Sequence, residues 1–254
     1  FIGDTQTRLA EDPVRMLRAM RFSAKLGFSI DPQILRHAKE TAKRLEAVSP
    51  ARLFDEFLKL FLNGHAEVVW RQLRKTPIAN AMFPCCDPNS PLALAAMRNT
   101  DERILSGASV TPGFLVAVLL WDDFCARGKD QEALEDDPAF ATLKHQQSYV
   151  AVPRRFGTFA REVWLIQERL HKRNPRSLDR LVTHKRFRAG YDFLCLQAES
   201  DELIAPIADW WTEFQAADES QRQALISQLP KAPRKRRRNR SRRKSTESAQ
   251  EEGS

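Results

Sequence analysis

A short segment near the start of the chain combines an acidic pair with regularly spaced arginines. Asp12 precedes Pro13, an order that predicts a helix N-cap followed by proline at the first helical position. Gly27 supplies a stop signal, so residues 13–26 are expected to form one helix. Its cations recur every three or four residues and therefore share one face: Arg15, Arg18, Arg21 and Lys25. One side of this helix is apolar and the other is cationic, which favours a nucleotide site.

A carboxylate and a guanidinium within one helical turn can read the edge of a nucleotide base. Adenine presents its N6 amino donor beside the N1 acceptor, so Asp12 would accept from the amino group and Arg15 would donate to N1. Guanine and uracil present the reversed order and would be refused. Cytosine shows the same pattern as adenine, so the pair leaves both ATP and CTP open. A solvated basic face beside a capped helix start is the simpler interpretation of the same residues.

The order of these residues resembles a known family motif. Residues 8–28, which include Arg8-Leu-Ala-Glu-Asp-Pro-Val-Arg15, are similar to the neck motif of the class II nucleotidyltransferases. That family contains the bacterial poly(A) polymerases and the CCA-adding tRNA nucleotidyltransferases. The resemblance implies that Asp12 and Arg15 select the base and that Arg8 and Arg18 steady the triphosphate. It also implies that Arg52 and Glu56, in a second neck motif, form a structural support pair.

Composition and periodicity indicate the fold class. The chain has 254 residues, more than one mean domain, and its hydrophobic fraction of 42% is enough for a core. No apolar run approaches the roughly 18 residues that span a bilayer. Segments with helical periodicity follow one another along the chain, and no segment alternates apolar and polar residues as a half-buried strand would. We therefore expect an all-α fold, which the resemblance implies to be a helical neck and body followed by a disordered basic tail.

Breaker residues between 84 and 91 mark the best internal boundary. We expect a neck at residues 1–84, a helical body at 92–229 and a tail at 230–254. The tryptophans lie on apolar helical faces, where core packing is favoured over base stacking. The expected body helices are near 92–105, 112–127, 131–144, 153–171, 177–199 with a break, 201–215 and 219–228.

The positive charge is concentrated at the C-terminal end. Residues 231–254 hold ten Lys or Arg and three Glu, so this stretch carries +7 of the total charge of +8. It has almost no apolar residue and should stay disordered until it meets a polyanion, for which RNA phosphate is the natural partner. A localisation or solubilising tail is the alternative. The expected RNA-binding residues are Arg234, Lys235, Arg236, Arg237, Arg238, Arg240, Arg242, Arg243 and Lys244.

A second basic concentration occupies residues 169–176 and 184–188. Both stretches belong to the expected body rather than to the tail. They would either guide an RNA primer across the body or form a solvated surface, and the sequence favours neither. Similarity to the poly(A) polymerase branch returns at residues 185–192 and 210–214.

The residues that nucleotidyl transfer needs for two metal ions are not evident. Asp122-Asp123 and Asp136-Asp137 are adjacent in sequence, so their side chains should point apart. The cysteines and histidines show no metal-ligand spacing. We therefore assign no catalytic residue and no metal ligand. The resemblance implies that a head domain before Phe1 carries the catalytic carboxylates and Mg²⁺, so we expect the chain to be a fragment that is inactive alone.

The resemblance implies template-independent addition of AMP from ATP to RNA 3′ ends, a modification that promotes RNA decay. The expected partners are RNA 3′ ends, ATP and RNA-decay helicases or nucleases, in the cytoplasm and without a membrane span. A CCA-adding enzyme is the nearest alternative, which the arginine-rich tail disfavours. A non-catalytic helical RNA-binding adaptor is an alternative from another class.

Overall fold

Every regular element in residues 3–129 and 137–229, the part of the chain that the structure describes, is helical. The structure is a computed structural model. It confirms the all-α expectation for these residues. The expected disordered tail at 230–254 lies outside the described residues.

Short helices make up the predicted neck. The chain turns often here, and the longest of these elements has thirteen residues. They are α1 (Thr5–Glu11), α2 (Val14–Leu26), α3 (Pro32–Arg36), α4 (Ala38–Leu45), α5 (Pro50–Phe61), α6 (Ala66–Leu73) and α7 (Ile78–Met82).

The predicted body contains longer helices, of which α12 is the longest. A 3₁₀ turn at Pro175–Ser177 precedes α13. The helices are α8 (Pro91–Leu105), α9 (Pro112–Leu119), α10 (Trp121–Lys129), α11 (Pro138–Gln146), α12 (Arg154–Lys172), α13 (Leu178–Val182), α14 (Phe187–Ala198), α15 (Ala205–Ala216) and α16 (Glu219–Ser227).

Side-chain caps explain where several helices begin. Asp31 accepts a hydrogen bond from the Gln33 amide at 2.8 Å, and Ser49 and Ser90 cap the starts of α5 and α8. Each of these caps is followed by a proline at the first helical position. Asp31-Pro32 and Ser49-Pro50 are signals of this kind that the sequence itself shows, and they agree with the observed starts of α3 and α5.

Three sequence expectations about helix extent are wrong. Asp31-Pro32 and the apolar residues at helical spacing up to Leu45 predict one helix, but the structure divides it into α3 and α4 at His37. The helix expected over 112–127 is divided into α9 and α10 at Leu120. A single helix over 131–144 is also wrong, because Asp137 caps a helix that starts at Pro138. Residues 130–136 lie outside the described residues. Helix α1, whose Thr7 amide donates to the Asp4 carboxylate at 2.7 Å, was not expected.

The hydrophobic core crosses the predicted boundary at 84–91. One cluster of buried side chains runs from Leu9 to Leu196 and joins helices of the neck to helices of the body. Hydrogen bonds also cross, since Gln146 Nε2 donates to the Met82 carbonyl at 2.8 Å. A second cluster around Trp211 closes the C-terminal end of the described body. The division into neck and body therefore stays a prediction.

The tryptophans serve mainly as core residues, as expected. Trp70, Trp164 and Trp211 are almost fully buried. The indole N–H groups of Trp164 and Trp211 donate to backbone carbonyls at 2.8 and 2.9 Å, which satisfies their polar atoms inside the core. Trp210 is also buried, and Trp121 is partly buried with its ring 5.1 Å from that of Phe193.

We predict that Gly190→Ala destabilises the fold by about 1–3 kcal/mol. A Cβ at residue 190 would overlap Cγ2 of Ile166, where α14 packs against α12. Gly128→Ala is the matched control, because the added methyl meets nothing within 4 Å and alanine favours the helix. Urea unfolding of both variants measures the difference. Equal stability of the two would contradict the close approach of α12 and α14.

Candidate nucleotide and RNA interface

The predicted nucleotide site surrounds the two-residue turn between α1 and α2. Asp12 ends α1, since its backbone N–H donates to the Arg8 carbonyl at 3.3 Å. Helix α2 is assigned from Val14; Pro13 before it already has helical backbone angles, whereas Asp12 is extended. The Asp12 carboxylate still accepts from the Val14 amide at 3.2 Å, because Pro13 has no N–H to offer.

A long-range ion pair fixes the Asp12 carboxylate. Arg52, in the first turn of α5, places Nη2 2.9 Å from both carboxylate oxygens of Asp12. The Asp12 side chain retains 19% of its exposure, whereas that of Arg52 retains 45%. Packing of α2 against α5 brings these two residues together across 40 positions of sequence.

Glu11 organises the arginines on the other side of the turn. Its Oε2 accepts from Nη1 of Arg8 and from Nη1 of Arg15, each at 3.1 Å. Arg15 Nη1 also donates to the Arg8 carbonyl at 3.2 Å, which ties α2 to the end of α1. A single carboxylate therefore positions two of the three arginines that the sequence assigned to the nucleotide, Arg8 and Arg15.

A buried carboxylate holds the next cation along α2. Glu56 of α5 is 2% exposed, and its Oε1 accepts from Lys59 Nζ at 3.0 Å. Nε of Arg18 lies 3.9 Å from the same oxygen. The expected pairing of Arg52 with Glu56 is therefore wrong, because Arg52 contacts Asp12 and Glu56 contacts Arg18 and Lys59. Their supporting role is retained, since each contacts a predicted site residue.

The structure brings the predicted nucleotide residues to one end of the neck, on α1, α2 and the turn between them. Sequence reasoning missed Glu11, although its spacing of three from Arg8 and four from Arg15 is a signal for helical ion pairs. The sequence also contains no local pattern that identifies Arg52 as the partner of Asp12. The roles in base and phosphate binding stay predictions, and the nine tail cations between residues 234 and 244 lie outside the described residues.

The described residues offer neither a metal site nor a reactive thiol. Among residues 3–129 and 137–229, no group of three His, Cys, Asp or Glu side chains is placed to hold a metal ion. All four cysteines are free, and burial together with the nearby Asp123 carboxylate raises the pKa of Cys85 to about 11. The Cys85 thiol, 3.0 Å from Nδ1 of His145, is therefore protonated at neutral pH.

Helices long and apolar enough to cross a membrane are absent from the part of the chain that the structure describes.

The described residues are helical, and they hold an Asp-x-x-Arg turn that Arg52 of a neighbouring helix contacts, as the resemblance to the class II nucleotidyltransferases led us to expect. Two family models match it. Residues 27–89 match a model described as "Probable RNA and SrmB- binding site of polymerase A", and residues 128–245 match "Polymerase A arginine-rich C-terminus". The chain belongs to the polymerase A family.

Curated relatives agree with this assignment over most of the chain. It is 34% identical to Poly(A) polymerase I of Salmonella typhimurium over 94% of its length and 34% identical to that of Haemophilus influenzae over 98%. The alignments cover 55% and 60% of those relatives, so the chain spans little more than half their length. A CCA-adding enzyme of Leuconostoc citreum is 40% identical over only 26% of the chain and 16% of that enzyme.

We predict that Arg8→Ala raises the pKa of Glu11. The hydrogen bond from Arg8 holds the pKa of this carboxyl below its ordinary value, although burial raises it slightly. The charge of Arg15 also lowers this pKa. Removing a cation favours the protonated form, so the titration midpoint of Glu11 should move upward. Arg15→Ala should move it upward by less, and Lys172→Ala in α12 should leave it unchanged. Carboxyl ¹³C NMR titration measures all three, and a larger rise in Arg15→Ala would contradict the predicted order.

Proposed function

We propose that the full-length protein adds AMP from ATP to RNA 3′ ends without a template, and that the neck selects the base. The assignment to the polymerase A family and the two relatives named Poly(A) polymerase I support this proposal. The observation that carries it is the set of unused hydrogen-bonding groups on Asp12 and Arg15.

Asp12 keeps one acceptor position for a base. A carboxylate has about four lone-pair positions. Arg52 occupies one on each oxygen, and the Val14 amide occupies a second on Oδ1. The remaining position on Oδ2 can accept the N6 amino proton of adenine.

Arg15 keeps the complementary donors. Its Nη1 donates to Glu11 and to the Arg8 carbonyl, which leaves the N–H groups of Nε and Nη2 for a ligand. The Arg15 side chain is 32% exposed, so part of it is open to solvent and to a ligand. The free acceptor position of Asp12 and the free donors of Arg15 match the amino donor and the ring-nitrogen acceptor of adenine. The edge of guanine presents the reverse order and would not match.

Arg8 and Arg18 extend the cationic surface beyond the base pocket. Their side chains are 43% and 44% exposed, and each contacts a carboxylate that it shares with another cation. We propose that these two arginines contact the triphosphate. The tail cations would then bind RNA phosphates with a strong dependence on salt.

The described residues do not fit the Mg²⁺ ions that nucleotidyl transfer uses, because no acidic cluster of sufficient size is present among them. We propose that the catalytic carboxylates belong to the part of the full-length protein that the relatives have and this chain does not cover. The described neck and body would then supply nucleotide selection and RNA binding.

We further propose RNA 3′ ends and RNA-decay helicases or nucleases as partners, and the cytoplasm as the compartment. The description of the family model over residues 27–89 names RNA and SrmB binding for polymerase A, which supports a role for the neck in contacting both RNA and protein. The free thiols of this chain are compatible with a reducing compartment.

We predict that Arg15→Ala in the full-length gene product lowers the preference for ATP over GTP by tenfold or more, since a charge-assisted hydrogen bond contributes about 1.5–3 kcal/mol. Arg52→Ala should lower it by a smaller factor, because Asp12 loses its orientation but keeps its acceptor. Arg98→Ala is the matched control: its side chain is 46% exposed and paired with Glu199, away from the turn.

Primer extension on an unstructured RNA with Mg²⁺, with each nucleotide offered separately, measures these preferences. Long products from ATP alone would support the proposal. Incorporation of CTP followed by a single A would move the protein to the CCA-adding branch. Tight RNA binding without synthesis would favour the adaptor. Equal use of GTP and ATP by the unaltered enzyme would contradict base selection by Asp12 and Arg15.

A further inference from the structure

A cationic groove of about 290 Å³ lies in the body, on helices different from those of the nucleotide site. The C-terminal half of α8 and the loop that follows it form one wall. Phe159 of α12 and residues 185–192, which lead into α14, form the other. The groove thus includes part of the second basic concentration that the sequence singled out.

Two carboxylates in and beside the groove are each shared by two cations. Nε of Arg188 lies 2.9 Å from Asp192 Oδ1, and Nη1 of Arg103 lies 3.8 Å from Asp192 Oδ2. Glu162 accepts a hydrogen bond from Nε of Arg186 at 2.7 Å, and Lys185 Nζ forms an ion pair with its other oxygen at 2.7 Å. Four cations therefore face two carboxylates, so this group of ionised side chains carries a local charge of +2 that its own ion pairs do not neutralise.

Two of the four cations are held firmly. Arg186 lies over the ring of Phe159 with its guanidinium carbon 4.4 Å from the ring centroid. Arg103 donates from Nε and Nη2 to the Ser109 carbonyl at 3.3 and 3.2 Å. Because these contacts fix the two guanidinium groups, the groove is positively charged before any ligand arrives.

The other two cations are exposed. The side chains of Lys185 and Arg188 are 65% and 74% exposed, so their charged groups can turn from a carboxylate toward a ligand. Exposed ion pairs contribute only about 0–1 kcal/mol, and exchanging one for a phosphate contact costs little.

We propose that this groove binds one nucleotide of the RNA primer upstream of its 3′ end, with Lys185 and Arg188 on the phosphodiester. The inference rests on the proposed function. The aromatic side chain of Phe114 lines the groove and offers apolar surface to a base. The polar side chains of Asn99, Ser109 and Thr111 also line it and suit a ribose hydroxyl.

The combination of cations, an aromatic ring and small polar groups favours RNA over other anions. A free phosphate would use only the cations, and an acidic peptide would not need the apolar wall. A neighbouring pocket between α11 and α12 is also lined by two arginines, Arg154 and Arg161, and Asp137 holds Arg161 there at 2.9 Å. Those two arginines are exposed residues of the same domain and serve as a matched control.

The test compares Lys185→Ala/Arg188→Ala with Arg154→Ala/Arg161→Ala in the full-length protein. Fluorescence anisotropy measures binding of an oligoadenylate of about 15 nucleotides, and primer extension measures kcat and KM. The groove variant should weaken RNA binding and raise the KM for RNA by about tenfold, and it should reduce the magnitude of the slope of log K against log salt by about 0.7, the amount for one phosphate contact on a single strand. Its kcat at saturating RNA and its KM for ATP should stay unchanged, as should all values in the control variant.

Further measurements separate the remaining outcomes. Glu162→Gln adds net charge beside the groove and should tighten RNA binding, which a variant that merely unfolds would not do. Equal weakening in the groove and control variants would overturn the proposal in favour of diffuse charge. ATP or polyglutamate added as a competitor would also overturn the proposal if it displaced RNA from the unaltered protein and failed to do so in the groove variant. The groove would then bind ATP or an acidic peptide. Absence of AMP addition by the unaltered enzyme would contradict the proposed function instead, while the binding comparison would still test the groove.

Discussion

The packing of α2 against α5 is the constraint on which the nucleotide site depends. Met16, Leu17 and Met20 are completely buried on one face of α2, in the same core cluster as Phe57 of α5. Each such side chain contributes about 1.5–3 kcal/mol when buried, whereas an exposed ion pair contributes only about 0–1 kcal/mol. Packing therefore sets the geometry, and the charged groups adopt the contacts that it allows. With this face fixed, the opposite face of α2 carries its arginines to the edge of α5.

A carboxylate shared between two cations recurs across the molecule. The arrangement orients both cations and leaves one positive charge in excess at each place, which would attract an anionic ligand. It occurs twice in the neck and twice in the body, within different groups of helices. The four carboxylates are Glu11, Glu56, Glu162 and Asp192.

Much of the helical architecture was predictable because its signals are local. Caps followed by proline predict the starts of α3 and α5, and a repeat of 3.6 residues separates the buried and cationic faces of α2. The errors occur where local signals are weak. Leu120 divides an apolar stretch that has no breaker residue, and the short helix α1 precedes the recognisable motif. The continuity of the core across 84–91 was equally invisible, since burial depends on which helices meet.

The sequence by itself determined the class of the protein and the residues of the Asp-x-x-Arg turn, because motif order and helical periodicity are properties of adjacent positions. Only the tertiary structure decided the partners of those residues. Arg52 reaches Asp12 across 40 positions, and Lys185 shares Glu162 with Arg186 across the interface of α12 and the start of α14. Such pairs depend on the rotation and spacing of packed helices, which are set by the shapes of many buried side chains together.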